Sequence, residues 1–300
     1  MSGDRTAQKF GGPWSLIKTE MVEKYVRFFN TALKEKPSKD RPFERVYIDA
    51  FAGTGAFTYV KEDSQVSLFG PRDPSKDIHD GSALRALRAE PPFDRIIFIE
   101  AEKDNVEALR ALIKRSGHPN ATVEHGDANQ ILKTLCAREA WKNRRGVIFL
   151  DPFGMNVEWS TLQAIAATKA LDVWFLFALA GTVRNLPRVA SQLDASKRSA
   201  VTRVLGTEEW FDRFYKTIPS RQNTVWGAPA PAVVRRTATV NDIEAYVRER
   251  LRTIFSHVEP PRRLKGPGNK SLFSLFFAVA NPAAGAVRLA QRGASHILKS

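Results

Sequence analysis

The sequence is poor in cysteine, in histidine clusters and in long apolar runs. One cysteine in 300 residues, Cys136, excludes a disulfide within the chain and any cysteine cluster for a metal. The five histidines show no metal-binding spacing, so we predict no metal site. No apolar run reaches the roughly 18 residues of a membrane helix, and the first residues lack the apolar core of a signal peptide. These absences predict a cytoplasmic protein without a membrane-spanning segment.

Several catalytic motifs are missing as well. The chain contains no GxSxG nucleophile turn, no HExxH zinc motif and no GxxxxGK[ST] phosphate loop. Residues 265–271, KGPGNKS, carry Gly, Lys and Ser in the wrong order for a phosphate loop. Any chemistry therefore has to come from other groups.

Positive charge is what the chain has in excess. Its formal net charge is +14, and residues 181–300 hold 20 Lys and Arg against 8 Asp and Glu. Arginines beside Gly and Pro in loops suit contacts to the phosphates of a nucleic acid, although a solvated basic surface that keeps the protein soluble explains the same excess. We predict a nucleic-acid partner. The candidate phosphate-binding residues are Arg184, Arg188, Arg235, Arg236, Arg262, Arg263, Lys265 and Lys270.

Strand-like and helix-like segments alternate along the first 180 residues. Buried-strand patterns at RVYIDAFAG, DRIIFIEAE, ATVEHGDA, RGVIFLDPFG and LDVWFLFALA are separated by segments with apolar residues at helical spacing. This alternation predicts an α/β fold with insertions: a doubly wound, Rossmann-like, mostly parallel sheet with helices on both faces.

The chain is expected to divide into three regions. Residues 1–180 form an N-terminal helix and the Rossmann-like cofactor-binding core. Residues 181–270 form a basic insertion of helices and loops, predicted as a lobe for a substrate or partner, and residues 271–300 form a final strand and helix that complete the core. We also expect Ser82 and Asn241 to cap helices, and TEEWFDRFYKTI to be helical.

Ligands of such sheets bind outside the carboxyl ends of the strands. The first strand is followed there by Asp49-Ala-Phe-Ala-Gly53-Thr54-Gly55. A dinucleotide site has a third glycine, whereas Thr58 stands in its place here. An acid four residues before a GxG pair is typical of S-adenosylmethionine enzymes. The glycines let the backbone approach the amino-acid part of that cofactor, and Asp49 is placed to bind its ammonium group.

Two further acids stand at the ends of the next two strands. Glu100 is placed to accept hydrogen bonds from both ribose hydroxyls, and Asp127 in HGDAN from the adenine amino group. Either acid alternatively caps the helix that follows it. Because such groups end these three strands, and Asp151 ends the fourth, in the right order, we predict S-adenosylmethionine as the cofactor. The predicted cofactor-binding residues are Asp49, Phe51, Gly53, Thr54, Gly55, Glu100, Asp127 and Ala128.

The fourth strand runs into an acid and a proline, in the stretch VIFLDPFGM at residues 147–155. Asp151 and the carbonyl of Pro152 offer two acceptors to the two N–H bonds of an amino group. Holding both hydrogens points the nitrogen lone pair at the methyl group of the cofactor, and Phe153 is placed to stack on a base. We therefore predict Asp151, Pro152 and Phe153 as catalytic residues; the alternative is that Asp151 only caps the helix near Glu158.

Several stretches resemble the three-Cys-motif partner protein family, TcmP. They are FGGPWSLIK, YIDAFAGTG, DGSALRAL, PPFDRIIFIE, GDAN and LDPFGMNVEWSTLQAIAATKALDVWFLF. The likeness covers most of residues 10–220 and continues more loosely through LFFAVANP. It implies a fold similar to class I methyltransferases without one settled reaction. It also implies a partner with a three-cysteine motif, similar to radical S-adenosylmethionine proteins.

The turn after Leu150 departs from better-known amine methylases of DNA and RNA. Those usually carry D-P-P followed by an aromatic residue, whereas this chain has Asp151-Pro152-Phe153-Gly154, which moves the aromatic by one position. The D-P-F-G order is similar to enzymes that dimethylate the guanine amine in transfer RNA. This similarity favours RNA as the substrate.

Two other segments are expected near the cofactor. An insertion at residues 56–80 follows the glycine loop, and it either covers the cofactor, reads the substrate or is an ordinary surface hairpin. The early FGGPWSLIK is expected to place Trp14 and Lys18 near the cofactor, with ordinary packing as the alternative for Trp14.

The sequence thus predicts an S-adenosylmethionine-dependent methyltransferase that acts on an amino group of a nucleic acid. One alternative is a non-catalytic or partner-dependent protein that works with the three-cysteine partner. Another is a methyltransferase for a small molecule or a protein, which would bind nucleic acid weakly.

Overall fold

The structure is a computed structural model that describes residues 12–58, 78–219 and 232–299. Residues 59–77, the greater part of the predicted insertion, lie outside these ranges. The role of that insertion therefore stays a prediction.

The described ranges contain helices and strands in alternation. The helices are α1 (Pro13–Leu33), α2 (Ser82–Leu87), α3 (Lys103–Ser116), α4 (Ala128–Arg138), α5 (Trp159–Ala167), α6 (Leu179–Arg184), α7 (Ala195–Leu205), α8 (Trp210–Phe214), α9 (Val240–Arg252) and α10 (Ala284–Lys299). The strands are β1 (Glu44–Asp49), β2 (Ala56–Thr58), β3 (Ile78–Asp80), β4 (Arg95–Glu100), β5 (Ala121–His125), β6 (Arg144–Leu150), β7 (Leu171–Phe177), β8 (Tyr215–Ile218), β9 (Val233–Arg236), β10 (His257–Val258), β11 (Arg262–Lys265) and β12 (Ser271–Val279). Among these helices, none has the length and apolar character needed to cross a membrane.

One large sheet organises the described residues. Its strands follow the order β10-β12-β7-β6-β1-β4-β5, and β11 also pairs with β12. The five strands from β5 to β7 are parallel, whereas β12 is antiparallel to β7, β10 and β11. The chain steps outward from β1 to β5 and then returns to β6 on the other side of β1, so a crevice opens between β1 and β6. The predicted doubly wound, Rossmann-like fold is confirmed.

The central strands are buried on both faces, which explains their almost continuous apolar sequences. Alternate residues enter different cores: Ile48 and Ile148 face one, while Tyr47 and Val147 face the other. Helices α4, α5, α7 and α9 pack on the first face, and α1, α2, α3 and α10 on the second. This packing holds the carboxyl ends of β1 and β6 in a rigid frame.

Two helix caps differ from the predictions. Gly81 caps α2, so Ser82 is the first residue of the helix, and its side chain bonds to Asp49 instead. Thr239 caps α9 in a reciprocal arrangement with Asp242, and Asn241 lies inside the helix. Both predictions placed the cap one or two residues too late.

Two segments also differ in secondary structure from the predictions. TEEWFDRFYKTI is helical only to Phe214, because its last residues form β8 and pair with β9. The predicted strand LDVWFLFALA ends at Phe177, and α6 begins at Leu179. In addition, residues 257–265, predicted within the basic insertion, add β10 and β11 to the main sheet.

Candidate functional site

A cavity of about 270 Å³ opens at the carboxyl ends of β1 and β6. Its walls come from α1, the glycine loop after β1, the start of α2, the turn after β6, and Leu176 and Phe273 of β7 and β12. Seven residues predicted from the sequence line this one cavity: Phe51, Gly53, Thr54, Gly55, Asp151, Pro152 and Phe153.

The first wall is one face of α1. Trp14, Ser15, Lys18 and Thr19 line the cavity, since residues one turn apart lie on the same side of a helix. The Trp14 ring lies against Gly12, where a Cβ atom would come within 2.0 Å of it. The structure thus puts both Trp14 and Lys18 at the cavity.

The glycine loop needs both of its glycines. Gly53 has φ of 60° and Gly55 has φ of 80°, the left-handed region that side chains disfavour. A Cβ atom on Gly55 would also lie 2.5 Å from Leu112. These two residues let the backbone turn sharply at the edge of the cavity.

Asp49 lies beneath this loop and is fully buried. Its Oδ1 accepts a hydrogen bond of 3.4 Å from the Phe51 N–H, while its Oδ2 is buried with no partner among the described residues. Burial raises the pKa of Asp49 to about 7, the hydrogen bond with Ser82 opposes this rise, and the nearby Asp151 adds to it. Ser82 itself lines the cavity, so it connects Asp49 to the open space.

Asp151 follows the last residue of β6 and forms an ion pair with Lys18. Lys18 Nζ donates a hydrogen bond to Asp151 Oδ2, and the two side chains are 13% and 21% exposed. The alternative role of Asp151 as a helix cap is wrong, because the cap of α5 is Glu158 and has no side-chain cap bond. Pro152 is buried, whereas Phe153 is 65% exposed at the cavity. Within the described part of the chain, the Pro152 carbonyl accepts no backbone hydrogen bond.

Asn129, which the sequence did not indicate, fixes the far end of this turn. Its Nδ2 donates to the Asn156 carbonyl at 2.9 Å, and its Oδ1 accepts from the Glu158 N–H at 3.0 Å and the Thr161 hydroxyl at 2.8 Å. Asn129 is buried, so these bonds are shielded from water. They hold residues 156–161, which follow the turn with Asp151 and Phe153, against α4.

Two further predicted acids, Glu100 and Asp127, lie outside the cavity lining, as Asp49 does. Glu100 Oε2 accepts from the Gly53 N–H at 2.8 Å, and Oε1 accepts from the N–H groups of Ala101 and Glu102 at 2.9 Å each. Asp127 caps α4, because its Oδ1 accepts from the Gln130 N–H at 2.9 Å, as the capping alternative predicted. Ala128 follows it as a buried residue. Their cofactor roles stay predictions.

Some of the predicted phosphate-binding residues share an edge with the cavity. Lys265 pairs with Ser271, and Ser274 pairs with Phe177, the last residue of β7. The turn between β11 and β12, with Lys265 and Lys270 exposed at its base, therefore lies beyond the carboxyl end of β7. Arg184 ends α6, which also follows β7.

Other basic residues are placed differently. Arg188 and Arg235 are exposed beside the β8–β9 pair, while Arg236 and Arg262 are half-buried. Arg263 forms a forked ion pair with Glu244, with contacts of 3.0 Å from Nε and 2.7 Å from Nη2. This pair uses the donors that a phosphate would need, so Arg263 fits a structural role.

Comparison with known proteins gives a similarity of fold. No family model matches the sequence, and no curated protein matches it. The crystal structure of LPL1258 from Legionella pneumophila str. Philadelphia 1, described under family-model DUF519, matches 96% of this chain and 93% of its own, with a TM-score of 0.50 and 13% identity. M. jannaschii TYW2 in complex with AdoMet matches 87% of this chain and 74% of its own, with a TM-score of 0.34 and 10% identity. The N-terminal domain of EvdMO1 in the presence of SAH and D-fucose matches 86% and 81%, with a TM-score of 0.39 and 10% identity. The first similarity shows the fold alone, and the two lower scores show nothing further about this chain.

Proposed function

We propose that this protein is an S-adenosylmethionine-dependent methyltransferase that acts on an exocyclic amino group of a nucleic acid, with RNA favoured over DNA. One observation carries the proposal: the glycine loop over the buried Asp49 and the Asp151-Pro152-Phe153 turn meet at a single cavity. Methyl transfer to nitrogen needs the methyl donor and the amine side by side, and these two elements offer a place for each.

The residues around Asp49 fit the amino-acid end of the cofactor. The unpartnered Asp49 Oδ2 is a suitable acceptor for an ammonium group, because a buried carboxylate without a partner is costly. The glycine loop allows close approach of the backbone, and Glu100 at the end of β4 offers its carboxylate to the ribose hydroxyls. When bound, S-adenosylmethionine supplies a methyl group on a positively charged sulfur.

The turn after β6 fits an amino group. The Asp151 carboxylate and the Pro152 carbonyl accept its two N–H bonds, and the carboxylate stabilises the positive charge that develops on the nitrogen. Phe153 presents an exposed ring beside these acceptors, as stacking on a base requires. Lys18 donates a hydrogen bond to Asp151 Oδ2 and so fixes the orientation of the carboxylate.

The excess of positive charge supports a polyanionic substrate. Lys265, Lys270 and Arg184 lie at the edge of the sheet where the cavity opens, so a nucleic acid bound there brings a base to Phe153. The resemblance of D-P-F-G to guanine-amine methylases of transfer RNA favours RNA.

The proposal is tested by incubating the full chain with methyl-labelled S-adenosylmethionine and total RNA or DNA. Label should enter nuclease-sensitive material with wild type and with the control Asp212→Asn, which alters an exposed acid on α8. Asp151→Asn should lose transfer at least about 100-fold while its cofactor affinity stays within a few-fold. Equal loss of transfer and of cofactor affinity would contradict the role of Asp151. Label that enters only protein or small molecules would contradict the nucleic-acid substrate.

A second candidate function is a scaffold or partner-dependent enzyme that works with a three-cysteine radical-type protein. The observation that favours it is that three backbone N–H groups already occupy the Glu100 carboxylate, which the ribose hydroxyls would otherwise use. Cofactor binding or turnover that appears only after the partner is added would support this function.

A further inference from the structure

Two arginines lie beside the loop that carries Asp151 and Phe153. A Cβ atom on Gly181 would lie 3.7 Å from Met155 Cγ and 4.0 Å from Arg184 Nη2. Arg203 Nη2 lies 3.5 Å from the Met155 carbonyl oxygen. Arg184 belongs to α6 and Arg203 to α7, so two separate helices bring positive charge to the same loop.

Neither arginine is neutralised within the described residues. Both are exposed, Arg184 forms no ion pair there, and Arg203 reaches only the Met155 carbonyl. The acid near Arg203 is Glu158, which pairs with Lys133; the hydrogen bond with Lys133 is the first cause of its lowered pKa, and the charge of Arg203 is the last. Apart from the Arg203 Nη2 contact with the Met155 carbonyl, the guanidinium donors of both arginines therefore remain available to another acceptor.

Two other exposed arginines of this region, Arg198 and Arg213, each pair with an acid. Arg198 pairs with Glu208 at 2.7 Å, and Arg213 pairs with Glu249 at 2.9 Å. Arg184 and Arg203 thus lack the acidic partner that Arg198 and Arg213 have, and both lie near Met155.

We propose that Arg184 and Arg203 form a binding site for the phosphodiester group next to the target base. This proposal rests on the proposed function, in which Asp151 and Phe153 hold that base. Met155 is only two residues beyond Phe153, a span of at most about 7 Å, so the backbone of the bound nucleotide lies within reach of both arginines. A guanidinium fork matches two phosphate oxygens, which gives the strand a fixed position relative to the cavity.

The site adds a residue to those indicated by the sequence. Arg184 was one of eight candidate phosphate-binding residues, whereas Arg203 lies in a helix, SKRSAVTRVL, whose charges look like those of an ordinary solvated face. Only the approach of α7 to the turn after β6 joins the two arginines.

The test measures binding of a labelled single-stranded RNA of about 20 nucleotides to the full chain, by fluorescence anisotropy, over salt concentrations from about 50 to 200 mM. Two contacted phosphates contribute about 1.4 to the slope of log Kd against log salt, since each contributes about 0.7 on a single strand. The variant Arg184→Gln/Arg203→Gln should lose about that much slope and bind roughly tenfold more weakly at the lowest salt. The matched control Arg288→Gln/Arg292→Gln removes two exposed charges from α10, on the opposite face of the sheet, and should retain the wild-type slope.

The outcomes separate this proposal from the proposed function. Equal slopes for the Arg184/Arg203 variant and the control would overturn the phosphate site while leaving the nucleic-acid substrate intact. A wild type that binds S-adenosylmethionine but neither RNA nor DNA would overturn both the site and the nucleic-acid substrate. A mononucleotide that competes as well as the RNA would overturn the role of a polymer backbone. Each single variant should lose about half of the slope, which keeps the test decisive if the double variant does not fold.

Discussion

Lys18 of α1 donates a hydrogen bond to Asp151 at the end of β6, although 133 residues separate them in the chain. The N-terminal helix precedes the alternating strands and helices of the core, yet it supplies a wall of the cavity and the cation that meets the candidate catalytic acid. The helix is therefore part of the site.

The first prediction concerns this pair. Lys18→Met removes the group that orients Asp151, so methyl transfer should fall by about 100-fold, the loss that a misplacement of about 1 Å produces. Affinity for S-adenosylmethionine should change little, and Lys18→Arg should restore much of the transfer because it keeps the donor. Steady-state kinetics and calorimetric titration measure the two effects. The control Lys24→Met alters an exposed lysine of the same helix, and an equal loss there would refute the specific role of Lys18.

The second prediction is that Asp49→Asn stabilises the protein at neutral and higher pH. Burial raises the pKa of Asp49 to about 7 in the folded protein, against about 4 in the unfolded chain. Between these values the folded protein keeps a proton that the unfolded chain has released, so the contribution of Asp49 to stability falls as the pH rises through this window. Asparagine does not titrate, so the variant does not lose stability in this way as the pH rises.

Thermal unfolding from pH 4 to pH 8 tests this prediction. The melting temperature of Asp49→Asn should exceed that of wild type at pH 8, by roughly 2–4 °C for each kcal/mol gained, and the difference should shrink towards pH 4. Asp172 is also buried, with its pKa raised to about 7 by burial, so the difference between variant and wild type isolates Asp49. The assignment would be contradicted if the melting temperature of Asp49→Asn, minus that of wild type, were smaller at pH 8 than at pH 4.

The third prediction concerns the pH dependence of cofactor affinity. An ammonium group binds the ionised form of Asp49, so affinity should fall about tenfold for each pH unit below about 7, where Asp49 is protonated. The α-amino group of the cofactor loses its own charge near pH 8, which sets an upper limit. Calorimetric titration with S-adenosylhomocysteine from pH 5.5 to pH 9 should give a maximum between these values. Asp49→Asn should bind weakly and show no acidic limb; a wild type with a flat profile would argue against contact between Asp49 and the ammonium group.

The fourth prediction concerns Asn129. Asn129→Ala removes three hydrogen bonds that hold residues 156–161, so the free energy of unfolding should fall by roughly 2 kcal/mol, in the range for buried groups left without partners. Methyl transfer should fall further than cofactor binding, because the turn with Asp151 loosens while the glycine loop does not. Denaturant unfolding and titration check the two parts. Gln130→Ala, an exposed neighbour on the same helix, serves as the control and should leave both unchanged.

The α/β sheet could be predicted from the sequence because its central strands are buried on both faces and appear as short apolar runs. The same pattern placed the glycine loop, Asp49 and Asp151 near one another, since residues at the carboxyl ends of parallel strands meet at one edge; their roles stay predictions. The start of α6 was not predicted, because residues 178–180 are all apolar and a short buried strand and a buried helical turn have similar sequences. Tyr215–Ile218 follows a helical pattern but pairs with β9, a tertiary contact that overrides the local preference.

The side-chain partners could not be predicted from the sequence. Lys18 was expected near the cofactor, but its bond to Asp151 depends on how α1 packs across the sheet. Asn129 looks like an ordinary polar residue at the start of a helix, and only its burial beside the turn after β6 gives it three partners. Arg203 likewise becomes notable only through the approach of α7 to Met155.

The most direct test of the account is calorimetric titration of the purified protein with S-adenosylmethionine, repeated with Glu100→Ala and with the control Glu102→Ala. Glu102 is exposed, and its side chain makes no cap bond. We expect a dissociation constant on the order of micromolar for wild type and the control, and lost or much weaker binding for a folded Glu100→Ala. A folded wild type that shows no heat of binding would contradict the central claim that this fold holds the cofactor.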